Sequence, residues 1–453
     1  MILFENMFKK EQYRSIMLLA IFGFVLFSIP FSNISNIFRV ILLIGSLGIF
    51  FYHRDSIYKD PMIIFLGLAI VSSVISWGNS FINIPSMAKS APEIDKLARL
   101  FIFIPIAYWI RGDRKLIFFL FLSFAFSFTI GMIVKSNFVM EYINGINGNR
   151  VDFSIKNAQY TSMFSGLFVL LIAFLITHLK IKNFSSKKIC ILSYSLLLVS
   201  LLFFLSIMVI SQSRMVFFSF VFVLLAYPIL NKMAFKRSGI KKMLFFYAGT
   251  IIIMTLLFFL VAPTLESRFS GRDIQTLNDI MNLNFENIPM SSIGIRLNSW
   301  FEASHWIAAH PFFGVGVHGP SAVIETSALF TARVAENYKI LEDLHHLHSF
   351  HFDTLVMYGV FGFLVLNGTY FIVLRSLLKL SSNYKYLNIW FLLASCVVVY
   401  WFTINGFESF NYRTYGVLTH NIFMAAFYTF ALTHRLFPTL LDEKNNENSG
   451  SCQ

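Results

Sequence analysis

Long apolar runs separated by short polar connections dominate the pattern of this chain. Most runs approach the length that a helix needs to cross a bilayer, about 20 residues. Because the connections are short, the pattern predicts one all-α, polytopic transmembrane helical bundle of about twelve spans. The predicted spans are residues 15–30, 35–52, 61–77, 98–110, 115–134, 157–179, 188–210, 213–230, 243–262, 350–374, 386–404 and 414–433.

Lysine and arginine residues are concentrated in alternate connections. By the positive-inside rule, these connections and both termini are cytoplasmic, and the other connections lie outside. The basic connections are residues 9–14, 54–59, 111–115, 180–188, 232–242 and 375–385. The resulting division is transmembrane helices 1–9 in 1–262, a large external helical loop in 263–349, transmembrane helices 10–12 in 350–436 and a disordered cytoplasmic tail in 437–453.

The large external loop is too polar to span a membrane and too patterned to be a linker. Residues 296–310 place apolar side chains at near-helical spacing and end at Pro311 and Gly314. A second amphipathic stretch covers residues 321–344. We expect both stretches to lie at the membrane surface, to cap the bundle and to return the chain to His348.

Composition agrees with a membrane protein, since 57% of the residues are hydrophobic and 13% are charged. The net charge of +13 resides largely in the cytoplasmic connections, where basic residues set orientation and meet anionic lipid, so no nucleic-acid partner is expected. Cys190 and Cys396 lie in or beside apolar runs and Cys452 lies in the tail, which offers no external disulfide pair.

His348 is the first candidate for chemistry. If a helix begins near His348, then Leu355, Gly359 and Gly362 follow on one stripe, within about 40° of it around the axis. Small residues on that stripe would allow a neighbouring helix to approach closely and hold the imidazole at a fixed depth. A structural histidine at a helix interface is the commoner alternative.

Two arginines are candidates for binding an anion. Arg214 begins a span, where it either snorkels to the interface or faces a polar cavity. Arg296 is either a solvated helix residue or is aimed by stacking on Trp300, four residues later.

The density of histidines suggests a metal site at first sight. The cluster comprises His345, His346, His348 and His351. Since no H-E-x-x-H spacing is present and the nearby acids are ordinary helix-end residues, no metal is expected.

Three short blocks resemble a known family. His348-Ser349, nine residues and Gly359-Val360-Phe361-Gly362 resemble the His-(Asn/Ser)-x9-Gly-x-x-Gly signature of bacterial O-antigen ligases, within the superfamily of ligases, polymerases and oligosaccharyltransferases. Two further blocks are similar to the Arg-x3-Trp…Pro-x2-Gly-x-Gly block and the Ser-Arg pair of that family: Arg296, Trp300, Ala303, Pro311, Gly314 and Gly316, and Ser213-Arg214.

The resemblance implies a GT-C-like glycosyltransferase of the bacterial inner membrane, with its active site facing the periplasm. It implies transfer of O-antigen polysaccharide from undecaprenyl diphosphate to a sugar hydroxyl of lipid A-core, without metal or cofactor and with inversion. A donor that is already activated is needed because nucleotides are not supplied outside the cytoplasm and the sequence has no Gly-rich phosphate-binding loop.

The resemblance also implies roles for particular residues. His348 would be the general base, and Arg214 and Arg296 would bind the donor diphosphate and act in catalysis, since Arg forks suit phosphate oxygens. Supporting positions would be Trp300, Gly359 and Gly362.

Three alternatives stay open. An O-antigen polymerase or a protein O-oligosaccharyltransferase would use the same donor with another acceptor. Many such polymerases carry an Arg-x10-Gly pattern, which is not found at the outer-loop arginines of this chain. A lipid-linked glycan flippase, without chemistry, would explain the spans and arginines but not a large ordered outer loop that ends at His348.

Overall fold

The computed structural model describes residues 11–178, 186–236, 247–249, 271–282, 288–333 and 344–442. Within these ranges the regular secondary structure is helical. The α-helices are α1 Glu11–Phe27, α2 Ser32–Ser46, α3 Ile49–Tyr52, α4 Arg54–Ile57, α5 Pro61–Asn83, α6 Asp95–Ala98, α7 Phe103–Ile110, α8 Arg114–Lys135, α9 Phe138–Ile146, α10 Ala158–His178, α11 Lys187–Ile210, α12 Arg214–Phe235, α13 Gly271–Met281, α14 Ser292–Ala309, α15 Gly319–Glu325, α16 Ala328–Arg333, α17 Phe350–Leu380, α18 Leu387–Phe407 and α19 Thr414–Leu436. Short 3-10 helices occur at Pro85–Met87, Arg99–Phe101 and Phe410–Tyr412.

Eight helical segments of the described chain are long and apolar enough to cross a membrane. They are Ser32–Tyr52, Pro61–Asn83, Arg114–Lys135, Ala158–His178, Lys187–Ile210, Arg214–Phe235, Phe350–Leu380 and Leu387–Phe407. Each coincides with a predicted span, which confirms an all-α polytopic membrane protein. The predicted span 243–262 falls almost entirely outside the described residues.

The predicted span 98–110 differs from a regular helix. Residues 99–101 form a 3-10 turn, and α7, which follows, has 8 residues. Polar side chains of the buried helix α19 bond to the backbone here: Asn421 Oδ1 accepts from Phe103 N at 2.7 Å, and Thr429 Oγ1 donates to Ala107 O at 2.7 Å. Because backbone groups inside a bilayer need partners, these side chains allow the irregular segment to be buried.

The loop that was predicted to lie outside the membrane, called the outer loop below, has an apolar core of its own in its described residues. The predicted helix 296–310 is confirmed as α14. The helix ends at Ala309, and its C-cap residue His310 directly precedes Pro311. The predicted stretch 321–344 contains the short helices α15 and α16, and its residues 334–343 lie outside the described part of the chain. A cluster that includes Ala303, Val323 and Leu347 also contains Val356 of α17, which attaches the loop to the bundle.

Helix α17 is broken at Gly359, whose φ is 64° and ψ is −169°. The loop segment 311–316 fills the break with backbone hydrogen bonds. Val315 N and Gly316 N each donate at 2.9 Å, to Val356 O and Met357 O. On the other side of the break, Val360 N and Phe361 N donate to Pro311 O at 2.8 Å and to Phe312 O at 3.1 Å.

The single helical stripe from His348 to Gly362 is therefore wrong. The helix begins after His348, at Phe350, and its phase changes at Gly359. Gly359 permits a different close approach from the predicted one. An added Cβ at Gly359 would overlap the backbone of Phe312, so the close neighbour is a loop backbone and not a second helix. At Gly362, the neighbouring helix is α5, where an added Cβ would lie 3.1 Å from Ser72 Oγ.

We expect Gly359→Ala to destabilise the protein, because the new methyl group would overlap the loop backbone at a positive φ. The strain at φ alone is worth about 1–3 kcal/mol. The thermal unfolding midpoint of the detergent-solubilised protein should fall. Gly78→Ala is the matched control, since its Cβ would meet nothing within 4 Å. Equal midpoints for the two variants would contradict the assigned role of Gly359.

Candidate active site

His348 lies in the turn that enters α17. Its φ is 50°, an uncommon conformation for a residue with a side chain. Ser349 caps the helix, since its Oγ accepts from Phe352 N at 3.4 Å. Asp353, one turn inside the helix, accepts from Leu347 N at 2.9 Å and holds the preceding segment. The imidazole therefore lies on a turn whose backbone is fixed by hydrogen bonds before and after His348.

Glu408 is the residue that organises the site. It follows the last residue of α18, and its side chain is 6% exposed. Oε1 accepts from His346 Nε2 and from Ser409 N, both at 3.1 Å, and Oε2 lies 3.3 Å from His348 Nδ1. One buried carboxylate thus joins two imidazoles whose centroids are 4.3 Å apart.

The hydrogen bonds assign a protonation pattern to the two histidines. Arg413 donates to His346 Nδ1 at 3.3 Å, so Nδ1 of His346 accepts a hydrogen bond and Nε2 donates one to Glu408. In His348 the proton is on Nδ1, which leaves the lone pair on Nε2, where no described residue binds. A carboxylate that fixes the tautomer of an imidazole in this way prepares its other nitrogen to accept a proton.

Burial lowers the pKa of His348 below its ordinary value of 6.5. The hydrogen bond and negative charge of Glu408 act in the opposite direction, while His346 and Arg296 lower the pKa further. Burial acts to raise the pKa of Glu408, but the hydrogen bonds from His346 and His348 hold that pKa well below its usual range. At neutral pH the pair is therefore a carboxylate and a neutral imidazole.

Arg296, on α14, belongs to the same network. Its NH1 donates to Ser292 O at 2.6 Å, and its Nε donates to Phe407 O at 3.4 Å. Gln159 connects it to the carboxylate: with the amide oriented to pair on both sides, its oxygen accepts from Arg296 NH2 at 3.2 Å and its nitrogen donates to Glu408 Oε2 at 2.7 Å. The Arg296 guanidinium is thus held by three elements.

Arg214 lies beside this network. It is the first residue of α12, after the tight turn that contains Ser213, and its NH2 lies 3.7 Å from Asp273 Oδ2 of α13. Burial lowers the pKa of Arg296; Glu408 and Asp273 act to raise that pKa, and the charge of Arg214 lowers it further. The two predicted arginines therefore share one electrostatic environment with Glu408.

Trp300 contacts the segment before His348, and its ring stacks on Phe352 and not on the Arg296 guanidinium. Its Nε1 donates to Leu347 O at 2.9 Å, next to His348. Its ring is stacked on Phe352, with 5.4 Å between centroids and 5° between planes. Gly359 and Gly362 act farther along α17, through the loop and α5 contacts described above.

The ligand atoms of His346, His348 and Glu408 lie within 4.8 Å of one another, close enough to hold a metal ion. The surrounding chemistry favours a hydrogen-bond network instead. Glu408 accepts from four donors, and Arg413 donates to His346 from outside the cluster. A divalent cation would displace these bonds and meet the repulsion of Arg296 and Arg413.

Sequence reasoning missed Glu408, Gln159 and Arg413. A signal was present for one of them: Glu408 is an acidic residue at the end of an apolar span, in the connection 405–413 that was predicted to lie outside. Gln159 had no such signal, since it is one polar residue at the start of a predicted span.

Residues 198–366 match the family model that is described as O-Antigen ligase. The matched region contains Arg214, Arg296 and His348, and it ends before Glu408. A search of curated proteins finds no match for the chain.

We expect Glu408→Gln to reduce kcat by at least about 100-fold, because the amide no longer selects the required tautomer of His348. It should also move the acidic limb of kcat/KM to lower pH. The sign follows from the loss of the carboxylate, which raises the pKa of His348 in the wild-type protein.

The measurement is a pH profile of glycan transfer by the purified variant. Glu325→Gln, at an exposed residue of α15, is the matched control. A limb that moves to higher pH, or a variant with near wild-type kcat, would show that Glu408 does not govern His348.

Proposed function

The chain belongs to the O-antigen ligase superfamily, and from this premise we propose that it is an O-antigen ligase. In this proposal it transfers O-antigen polysaccharide from undecaprenyl diphosphate to a sugar hydroxyl of lipid A-core. The reaction takes place at the periplasmic face of the bacterial inner membrane. Both substrates are amphiphiles, so both reach the site from the bilayer.

The observation that carries the proposal is the His348–Glu408 pair beside two arginines. The 3.3 Å contact at Nδ1 leaves Nε2 of a neutral imidazole available as a base. Arg296 is held in place by Ser292, Phe407 and Gln159, so its charge is already oriented before a substrate binds. Such fixed cations stabilise developing negative charge without reorganisation.

In the proposed reaction, His348 Nε2 takes the proton of the acceptor hydroxyl. The acceptor oxygen forms a bond to the anomeric carbon of the donor while the bond from that carbon to the phosphate oxygen breaks. The electron pair of the broken bond leaves with undecaprenyl diphosphate, whose charge is stabilised by Arg214 and Arg296. Attack from the side opposite the leaving group gives inversion at the anomeric carbon.

The electrostatics suit this division of roles. Because burial and the charge of Arg296 lower the pKa of His348, the imidazole is unprotonated near pH 7 and able to act as a base. Glu408 then stabilises the imidazolium that forms, since its own pKa is held low. The base and the anion-binding groups are thus supplied by side chains of this chain.

We expect His348→Ala to abolish ligation. In a deletion strain that carries this variant, a lipopolysaccharide gel should lose every lipid A-linked repeat while full-length polymer accumulates on undecaprenyl diphosphate. The wild-type gene in the same strain is the control, and the membrane level of both proteins must match. Single repeats that remain on lipid A-core, with long chains missing, would identify a polymerase. Ligation at near wild-type rate would place the base elsewhere.

We expect Arg214→Lys to remain severely impaired, with kcat/KM lower by about 100-fold. Lysine keeps the charge but loses the planar fork that binds two phosphate oxygens at once. The measurement is transfer at several concentrations of lipid-linked donor. Lys187→Arg, at the start of α11 in a connection predicted to be cytoplasmic, is a control for the opposite exchange. Full activity of Arg214→Lys would show that a point charge suffices.

A further inference from the structure

The cations around Glu408 form two groups, which contact the carboxylate through different residues. On one side, Gln159 joins Glu408 to Arg296, and Arg214 lies beyond. On the other side, His346 joins Glu408 to Arg413. The proposed reaction uses the first group for the donor diphosphate and assigns no substrate to the second group.

The second group extends from Arg413 along the surface, and we call Arg413, Lys156 and Lys135 the outer basic strip. Lys135 Nζ donates to Tyr415 Oη at 2.7 Å and lies 5.4 Å from the centre of that ring. The Tyr415 ring lies 6.0 Å from Tyr160, and Lys156 Nζ lies 5.1 Å from the centre of the Tyr160 ring. The lysines are therefore held by aromatic rings that touch each other.

Lys156 connects this surface to the active site. Burial and the charge of Arg413 lower the pKa of Lys156, while Glu408 acts to raise it. Lys156 thus lies within electrostatic range of both residues. Since Arg413 contacts His346 directly, the strip is continuous with the network that positions His348.

The cations of the strip have no carboxylate partner in direct contact among the described residues around them. Glu408 is already occupied by four donors, and Asp152 of the same outer connection accepts from Ser154 N at 2.8 Å. Within the described ranges, none of the three cations forms an ion pair with a carboxylate. Both lysines are exposed.

The location of the strip also runs against the usual distribution of charge. Connections outside the membrane are normally poor in Lys and Arg, yet the strip gathers three such residues from the outer connections 135–156 and 405–413. A lysine that only snorkels from the end of a span explains Lys135, but it does not explain Lys156 and Arg413 next to it. A ligand with negative charge explains all three.

We propose that the outer basic strip binds phosphate groups carried by the acceptor glycolipid, beside the sugar that receives the glycan. This inference rests on the proposed ligase function and names the acceptor chemistry that the site selects. With the donor diphosphate at Arg214 and Arg296 and the acceptor phosphate on the strip, the two anionic substrates lie on opposite sides of Glu408. His348 lies between them and reaches the acceptor hydroxyl.

The test uses full-length protein in phosphatidylcholine nanodiscs with saturating lipid-linked donor. We compare wild type with the Lys135→Gln, Lys156→Gln double variant on lipid A-core and on the same acceptor after enzymatic removal of its phosphates. The variant should raise the KM for phosphorylated acceptor about tenfold, the scale of one or two charge-assisted hydrogen bonds. The kcat and the donor KM should stay unchanged.

Removing the acceptor phosphates should raise the wild-type KM by a similar factor, and the variant should then add nothing further. Lys135→Arg, Lys156→Arg should restore the wild-type KM, and Lys89→Gln, an exposed outer lysine elsewhere, should leave it unchanged. A rise in donor KM instead would assign the strip to the donor and overturn the proposal. So would an effect seen only when the nanodiscs contain phosphatidylglycerol, which would assign the strip to membrane lipid.

Two readouts separate this inference from the proposed function. Transfer to lipid A-core by the wild-type protein tests the ligase function itself. Binding of phosphorylated and dephosphorylated acceptor in the absence of donor tests the strip, whether or not transfer occurs. Equal affinities of wild type and the double variant for phosphorylated acceptor would overturn the inference.

Discussion

The buried carboxylate of Glu408 is the interaction on which the rest of the site depends. A charge that is 6% exposed is tolerated only with hydrogen-bonding partners, and four donors from three segments of the chain provide them. The hydrogen bonds to this carboxylate bring together α10, the segment before α17 and the end of α18. The requirement that stabilises the carboxylate therefore also positions His348 and, through Gln159, Arg296.

Contacts from the outer loop hold the backbone on both sides of His348. Its segment 311–316 is bonded into the break of α17 at Gly359, and Trp300 holds Leu347 O from the other side. Asp353 contributes from within α17 by binding Leu347 N and the hydroxyl of Ser409. His348 thus lies in an uncommon backbone conformation that its surroundings impose, as is frequent at functional sites.

The candidate site is mainly positively charged around a buried carboxylate. Arg214, Arg296 and Lys156 all lie in the electrostatic environment that includes Glu408, and burial keeps the pKa of His348 below its ordinary value. In the proposed ligase reaction both substrates are anionic lipids, and the two groups of cations would bind them at separate places. The carboxylate between the groups reduces the repulsion among the cations themselves.

The amino-acid sequence was sufficient to predict the membrane class and the helical architecture, and it singled out three residues of the candidate site. Apolar runs of bilayer length have few alternatives to helices, and the short blocks around Arg214, Arg296 and His348 carry the family resemblance.

The hydrogen-bond partners of these residues became evident only from the folded chain. Glu408 is 60 residues from His348 along the chain, and Gln159 lies on α10, far from both in sequence. The hydrophobic pattern did not predict the helix break at Gly359, which is stabilised by the backbone of the loop. It also did not predict the irregular segment 98–110, which is stabilised by polar side chains of α19. Periodicity reports which face of a segment is apolar, whereas hydrogen bonds between segments depend on how the whole chain packs.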